Sequence, residues 1–121
     1  MKKVLVVDDS ETVRQQVGEA LSRAGLAVVE ARDGIDGLER VAEHQDLSVL
    51  ILDVNMPRLN GLDMLDRLKE NQKTAGLSVL ILTTEAQSSM VARAKQAGAK
   101  AWLIKPVRMD LLVDVVRKLA S

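Results

Sequence analysis

Cysteine, phenylalanine and tyrosine are absent from this sequence, and Trp102 is its sole aromatic residue. Without cysteine the chain can form neither disulfide bonds nor a thiolate zinc site, which is compatible with a reducing compartment. A single aromatic side chain cannot build the base-stacking surface of a protein that binds single-stranded nucleic acid. The core must therefore consist of valine, leucine, isoleucine, alanine and methionine.

An excess of charge of either sign is also absent, since 17 acidic residues balance 17 basic ones. This balance argues against a strongly basic face of the kind that binds nucleic acid. No apolar run approaches the roughly 18–20 residues that span a bilayer. The first apolar run stops at Asp8 and Asp9, which argues against a signal peptide. We therefore expect a cytoplasmic protein that has neither a membrane nor nucleic acid as a partner.

Short apolar runs alternate with segments in which apolar residues recur every three or four positions. The runs are rich in branched aliphatic residues and too short for helices, so they predict buried strands. They lie at Val4–Val7, Ala27–Val29, Val49–Leu52, Val79–Leu82 and Ala101–Ile104. The intervening segments predict helices, because Asp33-Gly34 and Asn60-Gly61 are typical helix starts and Gly25 and Gly98 are typical helix ends. This order predicts one domain, residues 1–121, with a parallel sheet and helices on both faces.

Reactive side chains follow four of the five predicted strands. Because ligands bind beyond the carboxyl ends of the strands in such a sheet, these side chains are candidate site residues. They are Asp8-Asp9 after the first strand, Asp53 after the third, Thr83-Thr84-Glu85 after the fourth and Lys105-Pro106 after the fifth. The second strand leads into Glu30-Ala31-Arg32, which we interpret as an exposed exit, and His44 falls in the second helical segment, away from this edge.

Three carboxylates at one edge predict a cation site. Two like charges about 4 Å apart repel by roughly 4 kcal/mol at an effective dielectric constant near 20. Either some carboxylates are protonated or a cation is bound, and Lys105 alone cannot balance three negative charges. Mg²⁺ suits an oxygen site with few carboxylates, and it often shares its coordination with a phosphate. A carboxylate beside Mg²⁺ can accept a phosphoryl group, although each of these residues taken singly is more often a turn or helix-cap residue.

Four segments together resemble the receiver domain of bacterial two-component response regulators. They are VLVVDDS at residues 4–10, LILDVNMPRLNGLDML at 50–65, VLILTTEA at 79–86 and AGAKAWLIKP at 97–106. The resemblance covers essentially the whole chain. It implies a flavodoxin-like, doubly wound (βα)5 fold whose five-stranded parallel sheet has the order 2-1-3-4-5.

The resemblance also implies the roles of the acidic residues and of their neighbours. Asp53 would be the phosphoacceptor and would share the Mg²⁺ with Asp9, which binds it directly, and Asp8, which binds through water. Asn55 would supply its backbone carbonyl to the metal. The side chains of Asn55 and Glu85 would flank the acyl phosphate and tune its hydrolysis. The chain would catalyse only its own phosphorylation and dephosphorylation, so it would not be an enzyme in the usual sense.

Further implied roles concern the switch. Thr83 would reach the phosphoryl group through its hydroxyl, and Lys105 would pair with Asp53 or with a phosphoryl oxygen. The bond before Pro106 would be cis. Trp102 occupies the aromatic switch position, where tyrosine or phenylalanine is more usual. When Thr83 moves toward the phosphoryl group, the ring could turn into the space behind it.

The implied partners are a sensor histidine kinase, which donates the phosphoryl group and docks on the first helix, and a target protein. The target would read the surface made by the fourth helix, the fifth strand and the fifth helix. The sequence ends at Ser121, just past the fifth helical pattern, so we expect the stand-alone chemotaxis type. Lys100-Ala101 stands where dimerising receivers often carry an aspartate pair, which favours a monomer.

Several alternatives stay open at this point. The chain could be a phosphate sink, or a receiver domain cut from a larger regulator. It could be a phosphatase similar to the haloacid dehalogenases, whose nucleophile follows the first strand and would here be Asp8 or Asp9. A receiver with an inert site is a further alternative, although the acids, Thr83 and Lys105 are all present.

Overall fold

The computed structural model of this chain describes residues 2–71 and 76–121. Within those residues, five strands alternate with five helices. The strands are β1 (Lys3–Val7), β2 (Ala27–Ala31), β3 (Leu47–Leu52), β4 (Ser78–Thr83) and β5 (Ala99–Ile104). The helices are α1 (Glu11–Arg23), α2 (Gly34–Glu43), α3 (Gly61–Glu70), α4 (Ser88–Gln96) and α5 (Met109–Ala120).

The strands form one sheet in the order β2-β1-β3-β4-β5, and all neighbouring strands are parallel. This is the order that the resemblance implied, so the fold prediction is confirmed. Val7 pairs with Leu52 in the register of β1 and β3, and the backbone N–H of Asp53 donates to the Val7 carbonyl at 3.0 Å. The carboxyl ends of these two strands therefore lie side by side.

Two hydrophobic clusters cover the two faces of the sheet. Side chains alternate across a strand, so Leu5 and Val7 join one cluster while Val4 and Val6 join the other. The first cluster packs against α2, α3 and α4, and the second packs against α1 and α5. Each fully buried aliphatic side chain contributes roughly 1.5–3 kcal/mol to folding. Burial on both faces explains why the strands read as continuous apolar runs.

Three predicted strand boundaries are wrong by two residues. β3 begins at Leu47 and β5 begins at Ala99, each two residues earlier than predicted, and β2 continues to Ala31. Hydrogen-bonded pairing extends these strands through residues that are not strongly apolar, such as Glu30, which pairs with Val6. The expected exposed exit after the second strand is wrong for Ala31, which is buried while Glu30 and Arg32 are exposed.

Polar caps and glycines bound the helices, as predicted at Asp33, Asn60, Gly25 and Gly98, whereas the cap at Ser10 was not predicted. The side chains of Ser10, Asp33 and Asn60 each accept a backbone N–H in the first turn of α1, α2 and α3. Gly25 and Gly98 follow α1 and α4 with φ angles of +86° and +101°, which glycine adopts without a steric penalty. The caps fix where α1, α2 and α3 leave the carboxyl edge of the sheet, and the glycines end α1 and α4 at the opposite edge.

Candidate functional site

Three carboxylates meet at the carboxyl edge of the sheet. Oxygen atoms of Asp8, Asp9 and Asp53 lie within 4.8 Å of one another. Asp8 and Asp53 are only 3% and 7% exposed, whereas Asp9 faces solvent. Asp8 and Asp53 directly follow the paired strands β1 and β3, so the sheet register brings them together. Groups with this oxygen chemistry suit a hard divalent cation.

Lys105 reaches into this cluster from the end of β5. Its Nζ lies 2.6 Å from Asp8 Oδ2 and 3.2 Å from Asp53 Oδ2. The backbone N–H of Lys105 donates to the Thr83 carbonyl at 2.9 Å, which ties the base of the side chain to β4. The Lys105–Pro106 peptide bond is cis. We expected Lys105 to pair with Asp53 or with a phosphoryl oxygen; it does contact Asp53, and its shorter contact with Asp8 was not predicted.

The pKa values of Asp8 and Lys105 reflect their burial and the attraction between their opposite charges. Burial raises the pKa of Asp8, although the hydrogen bonds from Lys105 and from the Ser10 backbone oppose this. Burial works to lower the pKa of Lys105, but the hydrogen bond to Asp8 and the charges of Asp53 and Asp8 outweigh it and raise that pKa. The lysine is therefore cationic, and one positive charge faces three acidic groups.

Thr83 ends β4 and is fully buried. Its hydroxyl oxygen accepts the backbone N–H of Glu85 at 3.3 Å. Thr84, the next residue, is exposed, so it is Thr83 that the strand holds in the protein interior.

Glu85 links Asn55 to Trp102. The Asn55 side-chain amide donates to Glu85 Oε1 at 2.6 Å, and the indole N–H of Trp102 donates to the Glu85 backbone carbonyl at 3.0 Å. Trp102 is half-buried and packs against the cluster beneath α4. The sequence predicts a role for each of the three residues but not that Glu85 contacts both others, because nothing local marks contacts across 17 and 30 positions.

Sequence reasoning missed other residues that hold this edge together. The guanidinium of Arg14 donates to the Asp8 carbonyl at 2.6 Å, and the Ser10 backbone N–H donates to Asp8 Oδ1 at 2.9 Å. Arg58 binds the carboxylate of Asp33, a residue that we predicted only as a helix start. The capping position of Ser10 was a usable signal, whereas the two arginines carried none.

His44 lies apart from the acidic cluster, as predicted. Its Nδ1 is 3.4 Å from the Nζ of Lys3, which begins β1, so His44 is at the opposite end of that strand from Asp8.

A mostly apolar cavity of about 330 Å³ adjoins the acidic cluster, between α1 and the segment after β5. Its walls include Val13, Val17 and Val107.

Comparison with known proteins agrees with this geometry. The family model described as the response regulator receiver domain matches residues 4–117. The chain belongs to the response regulator receiver domain family. This receiver domain is 36% identical over 113 residues to the chemotaxis protein CheY1 of Helicobacter pylori, covering 93% of this chain and 91% of that protein. It is 34% identical to the chemotaxis protein CheY homolog of Campylobacter jejuni, with 93% and 87% covered.

Solved structures show the same likeness. The chemotaxis protein CheY4 of Vibrio cholerae superimposes on this receiver domain with a TM-score of 0.91, at 34% identity and with 98% of each chain covered. A response regulator receiver domain protein of Clostridium thermocellum gives a TM-score of 0.89 at 30% identity, with 99% of this chain and 94% of that chain covered. Receiver domains of this type are signalling proteins rather than enzymes in the usual sense. Among the described residues of this receiver domain, no helix is long and apolar enough to cross a membrane.

Proposed function

We propose that Asp53 of this receiver domain accepts a phosphoryl group from a phosphohistidine of a sensor kinase. The observation that carries this proposal is the Lys105 ammonium, which lies within hydrogen-bond distance of both Asp8 and Asp53 in a cluster of three carboxylates. Such a constellation supplies a nucleophile together with positive charge for the oxygens of an incoming phosphoryl group.

The transfer proceeds by attack of an Asp53 carboxylate oxygen on phosphorus. The new O–P bond forms as the N–P bond to the histidine breaks, and the imidazole leaves with the electron pair and takes up a proton. Because the phosphoryl group carries most of the developing charge, positioning and electrostatic stabilisation are the main tasks of the protein. We propose that Lys105 stabilises the phosphoryl oxygens and that the buried hydroxyl of Thr83 donates to one of them.

The donor set fits Mg²⁺. Asp9, Asp8 and Asp53 offer carboxylate oxygens, and we propose that the backbone carbonyl of Asn55 completes the protein ligands. A cluster of three acids and one lysine leaves two negative charges when all the groups are ionised, which one divalent cation balances. When bound, Mg²⁺ supplies positive charge at the phosphoryl oxygens.

We propose that Asn55 and Glu85 tune the lifetime of the acyl phosphate. Their side chains hydrogen-bond to each other, and this exposed pair follows β3 and β4, just after Asp53 and Thr83, where it can limit the approach of water to the acyl phosphate. Loss of the phosphoryl group by hydrolysis returns Asp53 to a carboxylate. The chain thereby catalyses only its own phosphorylation and dephosphorylation.

We propose that the output is a change in the face formed by α4, β5 and α5. Thr83 and Trp102 both contact Glu85, so movement of Thr83 toward a phosphoryl group reaches the ring through that residue. A target protein reads the face, and the likeness to CheY proteins supports a chemotaxis pathway. We propose that this protein acts as a monomer in the cytoplasm.

The cavity beside α1 supports the proposal that the kinase docks on this helix. It lies between α1 and the segment that follows Lys105, and it is lined mainly by apolar side chains. A helix that carries the phosphohistidine could insert an apolar side chain there and bring phosphorus to Asp53.

Phosphorylation of variants tests the proposal. Wild-type protein incubated with labelled acetyl phosphate and Mg²⁺ should incorporate label, whereas Asp53→Asn should incorporate none. Asp46→Asn is a control, because Asp46 pairs with Lys3 at the far end of β1 and should leave labelling unchanged. Label that persists in Asp53→Asn would contradict the proposal and indicate an acceptor at Asp8 or Asp9, as expected of a phosphatase.

A further inference from the structure

Arg58 has an unusual backbone conformation in the loop that joins β3 to α3. Its φ angle is +65°, and it is the single non-glycine residue with a positive φ within residues 2–71 and 76–121. Arginine has no intrinsic preference for this left-handed region, where its Cβ crowds the backbone. Something outside the residue must therefore hold the turn.

An ion pair with Asp33 restrains the turn, together with the Leu59 N–H, which donates to the Pro57 carbonyl across Arg58 at 2.8 Å. Arg58 Nε lies 2.8 Å from Asp33 Oδ2 and Nη2 lies 3.0 Å from Oδ1, so both carboxylate oxygens are engaged. Asp33 is 4% exposed and also caps α2 by accepting the backbone N–H of Asp36 at 2.9 Å. The carboxylate is thus fixed in place before it binds Arg58. A two-pronged contact to a fixed group restrains both position and orientation of the guanidinium.

The backbone beside Arg58 is docked on the same helix start. The Gly34 N–H donates to the Leu59 carbonyl at 3.1 Å, and Leu59 is buried. A Cβ atom at Gly34 would lie 2.3 Å from that carbonyl oxygen, so the loop approaches the helix as closely as a glycine permits. The side-chain pair and this backbone contact together fix the downstream end of the loop.

The upstream end of the loop is fixed at Val54. Val54 is buried, and its carbonyl accepts the Gly61 N–H at 2.8 Å. Between these two anchors, Asn55 and Pro57 are exposed, whereas Met56 is half-buried and packs against the core cluster. The direction of the Asn55 carbonyl therefore depends on the course of this short segment, which the packing of Met56 and the left-handed turn at Arg58 both determine.

We propose that Arg58 is a positioning residue, which acts through its ion pair with Asp33 to orient the Asn55 carbonyl toward a divalent cation in the acidic cluster. This inference rests on the proposed function, since it needs that cation to bind. Neither Asp33 nor Arg58 touches the cation. They hold the loop in the conformation that binding requires, so that the protein does not have to reorder the loop when Mg²⁺ arrives.

Mg²⁺ titration of four variants separates the ion pair from the backbone effect. Arg58→Ala loses the ion pair and keeps the penalty for a positive φ. Arg58→Gly loses the ion pair but removes that penalty. Asp33→Asn keeps a capping oxygen for α2 and loses the charge. The fourth variant combines Asp33→Asn with Arg58→Ala, and Mg²⁺ affinity is read from Trp102 fluorescence and from calorimetry.

We expect Arg58→Ala and Asp33→Asn each to weaken Mg²⁺ binding about tenfold. The double variant should be no weaker than Arg58→Ala, because the two residues act as one unit. Arg58→Gly should recover part of the loss. Arg23→Ala is a control, because it removes an arginine that pairs with Glu19 in the last turns of α1, and it should bind Mg²⁺ like the wild type.

Two outcomes must be distinguished. If wild-type protein does not bind Mg²⁺, the proposed function fails. If wild-type protein binds Mg²⁺ and Arg58→Ala binds it equally well, the positioning role fails while the proposed function stands. If Arg58 has a purely structural role, Arg58→Ala should unfold at a lower urea concentration than the wild type and bind Mg²⁺ with unchanged affinity. That result also overturns the inference.

Discussion

At the scale of the residue, burial and partners give similar side chains different chemistry. Asp8 and Asp33 are both buried carboxylates next to a basic side chain. Burial dominates at Asp8 and raises its pKa, whereas the two-pronged hydrogen bond from Arg58 dominates at Asp33 and lowers its pKa. Lys105 does not fully offset the burial of Asp8, so Asp8 would gain from an added cation, whereas Arg58 already stabilises the charge of Asp33.

The Asp33 pair predicts a pH dependence of folding. Because the folded chain lowers the pKa of Asp33, it binds this proton less readily than the unfolded chain does. The contribution of the Asp33 pair to the free energy of unfolding is fully present above the ordinary carboxyl pKa of 3.8. It is lost as the pH falls through the lower pKa that Asp33 has in the folded chain. Urea unfolding of wild type and Asp33→Asn should show a stability difference near neutral pH that shrinks on acidification. A difference that grows on acidification would contradict this sign.

Loss of the hydrogen bond that Trp102 donates should change the affinity of the site for a phosphoryl mimic. Trp102→Phe keeps an aromatic ring but loses the N–H that donates to the Glu85 carbonyl, which contributes about 1 kcal/mol to the unphosphorylated form. If that bond exists only in this form, the variant should bind beryllofluoride, a phosphoryl mimic, about fivefold more tightly. Calorimetry measures this, since the fluorophore is gone. Unchanged affinity would mean that the ring and the site are not coupled.

At the scale of the element, helix α3 begins against the carbonyl of Asp53. Gly61 is its first residue, and a Cβ there would lie 2.0 Å from the Asp53 oxygen, a backbone atom that cannot move aside cheaply. The glycine lets the helix start directly behind the proposed phosphoacceptor. Gly18, inside α1, has no such constraint, since its nearest contact would be 3.7 Å away at a side chain of Val28.

Alanine at these two glycines should therefore have opposite effects. Gly61→Ala should lower the free energy of unfolding by about 3 kcal/mol, because the new methyl group overlaps backbone atoms. Gly18→Ala should raise it by about 0.5–1 kcal/mol, because alanine favours the helix and meets ordinary contacts. Urea unfolding measures both. Equal effects at the two positions would show that the close approach at Gly61 is not rigid.

At the scale of the whole molecule, the site joins residues that the chain holds far apart. Lys105 is 97 positions from Asp8 and 52 positions from Asp53, and the sheet brings all three to one edge. A cation that binds there crosslinks the ends of β1 and β3. Because the cation binds the folded chain and not the unfolded chain, it should stabilise the entire domain rather than one loop.

Mg²⁺ should accordingly stabilise the fold. At a concentration one hundred times the dissociation constant, a ligand of the folded state adds about 2.7 kcal/mol to the free energy of unfolding. Thermal and urea unfolding should show this increment for wild type and for the control Asp46→Ala, and they should show little of it for Asp9→Ala. A melting temperature of the wild type that does not respond to millimolar Mg²⁺ would contradict the cation site.

The sequence alone determined the alternation of strands and helices, the helix boundaries at Gly25, Asp33, Asn60 and Gly98, and the residues at the carboxyl edge, because each depends on local periodicity or on the residue that follows a strand. The resemblance then supplied the strand order, which local patterns do not contain. Only the tertiary structure decided that Lys105 lies nearer to Asp8 than to Asp53, that Glu85 joins Asn55 to Trp102, and that Arg58 binds Asp33. Such contacts depend on sheet register and on the approach of separate loops, and neither leaves a periodic trace in the residues concerned.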